Sequence, residues 1–264
     1  MKTTIFSFCA LLVLTLNSAS ARTVVISDID DTIKMTGVLN NKLHVGFNGL
    51  FSKKAFAGMS ELYNEYHAKG YGIYYVSGSP KFIDGRIESF LDLREFPQSD
   101  QRFLKDKISS DTYKFKMESI RNVIAKENPT SLILIGDDTE HDPDVYNDIS
   151  KEYPGLVESI YIRAVQNAKL PKNKLMKNFF ASVEIAADDL IKNKLNYLGL
   201  ENVVHAFVDQ TKESGIQLDS YYCPKEGRAE IAEHITKDYT KDSAVIKLLL
   251  RTQAKIRKTC LTHK

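Results

Sequence analysis

Asp28, Asp30 and Thr32 follow Thr23-Val24-Val25-Ile26, a β-branched run that predicts a buried strand. Two carboxylates two residues apart can share one site if the chain turns at once. The first could attack phosphorus as a nucleophile. The second could donate a proton to the leaving oxygen and later take one from water. A hard cation with oxygen ligands would neutralise the phosphate at such a site. Taken alone, Asp28-Ile29-Asp30-Asp31-Thr32 is equally compatible with an acidic turn that closes a strand.

Other residues complete a catalytic set. Gly136-Asp137-Asp138-Thr139-Glu140-His141-Asp142 follows the apolar run Leu132-Ile133-Leu134-Ile135, and can supply Asp137 and Asp142 as further metal-facing carboxylates. Ser77, after Ile73-Tyr74-Tyr75-Val76, offers a hydroxyl to a phosphate oxygen. Lys116, at the opening of a predicted helix, offers a fixed positive charge, with Lys114 as its rival. Arg163 is open between a substrate contact and a solvated strand end. Asp138 and Glu140 read as loop charges, and Gly78 as a position needing backbone freedom. His44 and His141 read as bystanders, because an oxygen-rich site for a hard cation needs no imidazole.

These residues need elements to position them. Four strands are predicted, over 23–26, 73–76, 132–135 and 159–163. A hairpin is expected over Val38–Val45 around Asn40-Asn41. Helices are expected over Met59–Ala68, stopped by Gly70, from Ser79 as N-cap with Pro80 as first residue, over Met117–Lys126, and over Leu175–Lys194. Continuous apolar strands alternating with helices indicate a parallel sheet covered on both faces. Such sheets carry their sites beyond the carboxyl ends of the strands, where Asp28, Ser77 and Asp137 fall.

The wording of five blocks is specific. Ser27 to Lys34, Gly58 to Tyr63, Tyr75 to Pro80, Gly136 to Tyr146 and Tyr161 to Arg163 resemble, in that order, the catalytic domain of the actin-patch phosphatidate phosphatases. That lipin-related domain is a branch of the haloacid dehalogenase (HAD) superfamily. The resemblance spans roughly residues 23–165. It implies an α/β fold, a three-layer Rossmannoid sandwich with a central parallel sheet and a small cap. It further implies Asp28 as nucleophile and magnesium ligand, Asp30 as general acid/base and ligand through its carbonyl, and Asp137 as a ligand. Ser77 and Lys116 would bind the phosphoryl oxygens, with Thr32 and Asp142 in support. Mg2+ is the implied cofactor and phosphatidate the implied substrate. The alternatives are another lipid or soluble phosphate monoester, or a lipid-binding module without catalysis, whose mark would be loss of Asp28 or Asp30.

Lys2, the apolar run Ile5–Leu16 and Ala19-Ser20-Ala21 read as a signal peptide removed after Ala21, so an exported, periplasmic or secreted chain is expected. The organisation expected is a leader over 1–21, a catalytic domain over 22–196 and a helical extension over 197–264, with a loop around Cys223-Pro224. Net charge of +2 gives no case for a nucleic-acid partner. Two cysteines remain after processing, and export favours a Cys223–Cys260 disulfide over two buried thiols. In the tail, Lys247, Arg251, Lys255, Arg257, Lys258 and Lys264 follow Asp242 with no acid among them. This basic stripe reads either as the solvated face of a packed helix or as a peripheral contact with anionic membrane.

Overall fold

The computed structural model describes residues 22–36, 52–166, 168–213 and 244–262, without the side chains of 212, 213, 245 and 255–262. The expected leader, the hairpin over 38–45, His44 and the proposed disulfide lie outside what is described.

Six strands form one sheet: β1 (Thr23–Ser27), β2 (Gly72–Pro80), β3 (Gln101–Lys105), β4 (Ser131–Asp137), β5 (Val157–Arg163) and β6 (Met176–Phe179). All neighbours are parallel and the order is β3-β2-β1-β4-β5-β6. Among the described residues the helices are α1 (Met59–Ala68), α2 (Asp84–Leu93), α3 (Thr112–Glu127), α4 (Asp142–Glu152), α5 (Ser182–Ile191), α6 (Tyr197–Glu213) and α7 (Ala244–Thr262). The α/β sandwich with a central parallel sheet and C-terminal helices is therefore as expected.

The period of two along each strand sorts side chains into two cores. Val25, Ile73, Tyr75, Ile133, Ile135, Tyr161 and Phe179 face one way, against α1, α2, α5 and α6. Val24, Ile26, Tyr74, Val76, Leu132, Leu134, Ile160 and Ile162 face the other, against α3 and α4. Each large aliphatic side chain so buried contributes about 1.5–3 kcal/mol. Leu200, Val203, Val204 and Phe207 of α6, and Ile246 and Leu249 of α7, join the first core, while Lys247 and Arg251 face outward.

Several boundaries differ from expectation. The helix expected over 175–194 is β6 followed by α5. Phe179 pairs with Arg163 on the open edge of β5, so edge pairing takes Met176–Phe179 from a pattern that continues at helical spacing through Val183, Ala186 and Leu190. Ser79 is no N-cap. β2 continues past a register shift after Ser77 as far as Pro80, a single 3-10 turn (Lys81–Ile83) follows, and only then α2. Helix α3 starts at Thr112, capped by the Asp111 carboxylate, which accepts from the Lys114 N–H at 3.1 Å. Lys116 thus sits in its second turn. β3, Gln-Arg-Phe-Leu-Lys at an edge, has too little apolar character to stand out in sequence.

Gly58 precedes α1 with φ 70°, and a Cβ there would come within 2.3 Å of Ser182 Oγ and 3.2 Å of Phe207 Cβ. Gly70 after α1 has φ 79° but open space around it. Gly58→Ala should therefore destabilise by about 2–3 kcal/mol and Gly70→Ala by about 1 kcal/mol, since only the first adds steric overlap to the backbone cost. Urea unfolding of both variants checks this, and equal losses would refute the packing of α6 against Gly58.

Behind the sheet, Tyr161 Oη donates to Asp188 Oδ2 at 2.7 Å and lies 2.6 Å from Asp189 Oδ1, while Tyr66 Oη donates to Asp189 Oδ2. Lys177 and Lys192 hold Asp188 at 2.6 and 2.8 Å. Burial pushes the Asp189 carboxyl up to about 6, against the pull of the two phenols. A raised acid stabilises the fold fully below its unfolded value near 4 and loses that contribution as pH rises through about 6. Relative to Asp189→Asn, the wild type should thus lose about 3 kcal/mol of unfolding free energy between pH 3.5 and 8. Denaturant titration at the two pH values measures the difference.

Candidate active site

The carboxyl edge of β1, β2 and β4 gathers five of the residues named from sequence into one buried cluster. The chain leaves β1 at Ser27, and the Asp28 N–H still donates to the Ile135 carbonyl of β4 at 2.9 Å. It then turns sharply. Ile33 and Lys34 donate backbone N–H groups to the Ile29 carbonyl at 3.0 and 2.9 Å, and Asp31 takes φ 54°. Asp is one of the few residues that tolerate this region. The Asp31 carboxylate closes the turn by accepting from the Thr36 N–H at 2.9 Å and the Thr36 hydroxyl at 2.7 Å.

This turn places Thr32 Oγ1 3.2 Å from Asp28 Oδ2 and 3.0 Å from Asp137 Oδ2. One hydroxyl thereby ties the end of β1 to the end of β4. Lys116, reaching in from α3, donates to Asp28 Oδ1 at 3.0 Å and also to Asp142 Oδ1. Asp142, the first residue of α4, accepts the Asp137 N–H at 3.3 Å. A Cβ at residue 136 would meet Asp142 Oδ2 at 2.5 Å, so glycine at that position makes room for the carboxylate. Asp137 Oδ1 accepts from the Thr139 N–H at 2.7 Å and from its hydroxyl.

Asp30 stands apart at the mouth and is partly exposed. Its Oδ2 accepts from Ser79 Oγ at 2.6 Å and from Ser77 Oγ at 3.4 Å, and Lys34 Nζ lies 3.7 Å from Oδ1. Ser77 Oγ in turn accepts the Ser79 N–H at 3.0 Å. Ser77 thus faces Asp30 rather than the buried cluster.

Among the residues with open readings, Lys114 is exposed on α3 whereas Lys116 is buried at the cluster. Arg163 neither lines the mouth nor meets solvent. It lies buried between the rings of Phe56 and Phe179 and donates to the carbonyls of Thr32 at 2.8 Å and Phe180 at 2.6 Å. Asp138 is a buried organiser, accepting the backbone N–H groups of Val165 and Gln166 at 2.7 Å each and of Ala168 at 2.9 Å. His141 is exposed against Tyr113, away from any ligand role. Ser79, Lys34 and Thr139 escaped sequence reasoning. Their signal was spacing: Ser79 two after Ser77, Lys34 four after Asp30, and Thr139 two after Asp137.

The electrostatics follow from burial. Three carboxylates face one ammonium. Burial raises the Asp28 carboxyl well above its usual range, opposed by Lys116 and reinforced by Asp142, Asp137 and Asp30. Burial and Asp142 push Asp137 up to about 7, and burial also raises Asp142 despite Lys116. For Lys116 burial alone would lower the value, yet Asp142 and Asp28 outweigh it and hold the ammonium well above its usual range. The cluster lacks positive charge. Ligand atoms of Asp28, Asp137 and Asp142 all lie within 4.8 Å of one another, and an all-oxygen donor set of this kind fits a hard divalent cation.

The family resemblance falls on the part of the chain that holds this site. The family model described as phosphatidate phosphatase APP1, catalytic domain, matches residues 23–164. Phosphatidate phosphatase APP1 of Saccharomyces cerevisiae is 30% identical over 160 residues, covering 54% of this chain and 26% of that protein. An uncharacterised protein of Schizosaccharomyces pombe is 25% identical over 152 residues, with 54% and 25% covered. The chain thus matches only about a quarter of the length of these curated relatives. Among solved structures, the class C acid phosphatase from Bacillus anthracis overlaps with TM-score 0.36 at 15% identity, over 52% of this chain and 65% of that one. A chain of the Pnkp1/Rnl/Hen1 RNA repair complex overlaps with TM-score 0.40 at 16% identity, over 55% and 43%. With the family model covering more than half of its length, this chain belongs to the family of the phosphatidate phosphatase APP1 catalytic domain, which its motifs resemble.

Proposed function

We propose that this protein is a magnesium-dependent phosphatase that hydrolyses phosphatidate to diacylglycerol through an aspartyl phosphate on Asp28. The observation that carries this reading is the division of labour between two carboxylates. Asp28 is buried against Lys116, and Asp30, two residues later, is held at the mouth by Ser79. The family match supports the phosphatidate substrate.

In the proposed reaction a carboxylate oxygen of Asp28 attacks phosphorus in line, and the bond from phosphorus to the ester oxygen breaks. Asp30 delivers its proton to the departing oxygen. It then takes a proton from water as that water attacks the phosphoenzyme, which frees Asp28 and inorganic phosphate. Lys116 holds one phosphoryl oxygen by charge, and Ser77 turns its hydroxyl from Asp30 to another. Asp28 and Asp137, with the Asp30 carbonyl, would hold Mg2+, whose charge would offset the carboxylates and screen the phosphate. Thr32 and Asp142 keep Asp28, Asp137 and Lys116 in mutual register. The same machinery would serve another lipid or a soluble monoester. A lipid-binding module without catalysis is disfavoured, because Asp28 and Asp30 are both in place.

Export through removal of residues 1–21 belongs to the same reading, as does peripheral contact with an anionic membrane. Intact mass and N-terminal sequencing of protein recovered from an exporting host should show Arg22 as the first residue, and retention of Met1 would remove that part.

Asp28→Asn should lower kcat by at least about a thousandfold on phosphatidate, because an amide can neither form the phosphoenzyme nor ligate magnesium well. Asp30→Asn should lose turnover comparably, failing in both proton transfers. Circular dichroism of both variants should match wild type. More than a tenth of wild-type kcat in Asp28→Asn would exclude the mechanism. Chelation should abolish turnover and Mg2+ restore it. A panel of phosphatidate, lysophosphatidate, sugar phosphates and nucleotides fixes the substrate, and preference for a soluble monoester would overturn the lipid assignment.

A further inference from the structure

Two large apolar side chains stand out in solvent on the edge of the sheet that carries the site. Phe82 is 74% exposed and Ile108 is 69% exposed. Phe82 lies in the 3-10 turn that leaves β2, three residues after Ser79, whose hydroxyl binds Asp30 at 2.6 Å. Ile108 lies in the connection from β3 to α3. The two segments leave neighbouring strands side by side, since Pro80 pairs with Lys105 at the ends of β2 and β3.

The Ile108 loop is built rather than loose. Lys105 is buried and donates its ammonium to the carbonyls of Ile108 and Ser110 at 3.3 Å each and to Thr112 Oγ1 at 2.9 Å. The lysine thus holds this turn from beneath while the Ile108 side chain faces outward. The mouth closes round the same point. A Cβ at Gly78 would meet Glu140 Oε2 at 2.8 Å and Thr112 Cγ2 at 3.1 Å. An exposed lysine stands beside each of the two side chains, Lys81 beside Phe82 and Lys107 beside Ile108. Of the nearby acids, Asp84 is paired with Arg102 at 2.8 Å and Asp111 caps α3, which leaves Asp106 and Glu140.

We propose that Phe82 and Ile108 form a membrane-docking rim, inserting into the interface of an anionic bilayer while Lys81 and Lys107 meet its phosphates, so that Asp30 and Asp28 face the headgroup layer. Protruding apolar side chains with adjacent lysines are what a lipid interface accepts. The proposal rests on the lipid-phosphate reading of the site and says which face presents it to the substrate.

The protein contains no tryptophan, so single substitutions give clean probes. Phe82→Trp and Ile108→Trp should show blue-shifted emission on vesicles of phosphatidylcholine and phosphatidylglycerol, with quenching by brominated acyl chains, in EDTA so that no turnover intervenes. Leu198→Trp is the control. Leu198 is 61% exposed but lies toward the amino edge of the sheet, because nearby Lys194 contacts Ser131, the first residue of β4, and Tyr71, which precedes β2. It should respond to neither lipid.

Phe82→Ser with Ile108→Ser should weaken vesicle binding and raise KM for vesicle-borne phosphatidate by about tenfold per side chain. It should leave kcat/KM for p-nitrophenyl phosphate within about twofold, since neither residue touches the catalytic groups. The proposal fails if the two probes respond no more than Leu198→Trp. It fails if the double variant binds vesicles as wild type does, or if binding is lost instead in Lys247→Gln/Arg251→Gln. Equal loss on both substrates would also overturn it, making these residues part of the pocket. Wild-type protein that docks on vesicles yet hydrolyses no monoester would leave the rim standing and defeat the proposed reaction.

Discussion

The contact between Lys116 and the carboxylates of Asp28 and Asp142 is what the architecture is arranged around. One ammonium and three carboxyl groups sit where water is excluded, and such groups are costly to bury unless paired and hydrogen-bonded. Each partner comes from a different element: Asp28 from the end of β1, Lys116 from α3, Asp137 from the end of β4 and Asp142 from the start of α4. The parallel order brings these together, because β1 is flanked by β2 and β4 and so its end lies between the ends of both. Lysine alone leaves the cluster short of positive charge, which is why burial raises all three acids. Further positive charge at this point would relieve all three acids, and a hard divalent cation would supply it.

Around this centre lies a shell whose task is orientation. Tyr63 donates to Ser27 Oγ at 2.6 Å, and that hydroxyl donates to the Asp28 carbonyl at 2.6 Å. Tyr146 donates at 3.0 Å to the Ile135 carbonyl, the same oxygen that accepts the Asp28 N–H. Arg163 grips the Thr32 carbonyl from the far side, with Phe56 and Phe179 stacked on its guanidinium. These side chains make β1, β4, β5 and β6 one unit, so the turn after β1 cannot move without disturbing the core. Preorganisation of this kind is where most of the acceleration of a slow hydrolysis has to come from.

At the rim the constraint relaxes. Asp30 keeps contact with solvent and is held by hydroxyls, whose protons can rotate toward an incoming phosphate. In the proposed reaction Asp30, as proton carrier, needs that access, whereas Asp28, as nucleophile, gains from exclusion of water. Outside it, Phe82 and Ile108 complete a gradient from buried charge through polar mouth to exposed apolar side chains. That sequence of environments is the inverse of a bilayer surface read from its acyl chains outward.

The residues of the proposed site were legible in the chain itself. Asp28, Asp30 and Thr32 after one apolar run, and Asp137 and Asp142 around another, declare themselves because strand ends and short turns are local properties. The central strands were legible for the same reason, and helix α1 appears with the expected bounds. β3 and β6 were not, since an edge strand is made by its neighbour: Gln101–Lys105 has little apolar character, and Met176–Phe179 joins a helical pattern until β5 offers it hydrogen bonds. Nor could sequence tell which way Ser77, Ser79, Lys34 and Arg163 turn. Those directions arise from contacts between segments tens of residues apart, such as Arg163 with Thr32 and Ser79 with Asp30. Residue type and spacing thus determined which groups could do the chemistry, and the packing of the sheet edge decided which of them share one buried charge cluster and which stand at its mouth, because burial and pairing exist only once distant segments meet.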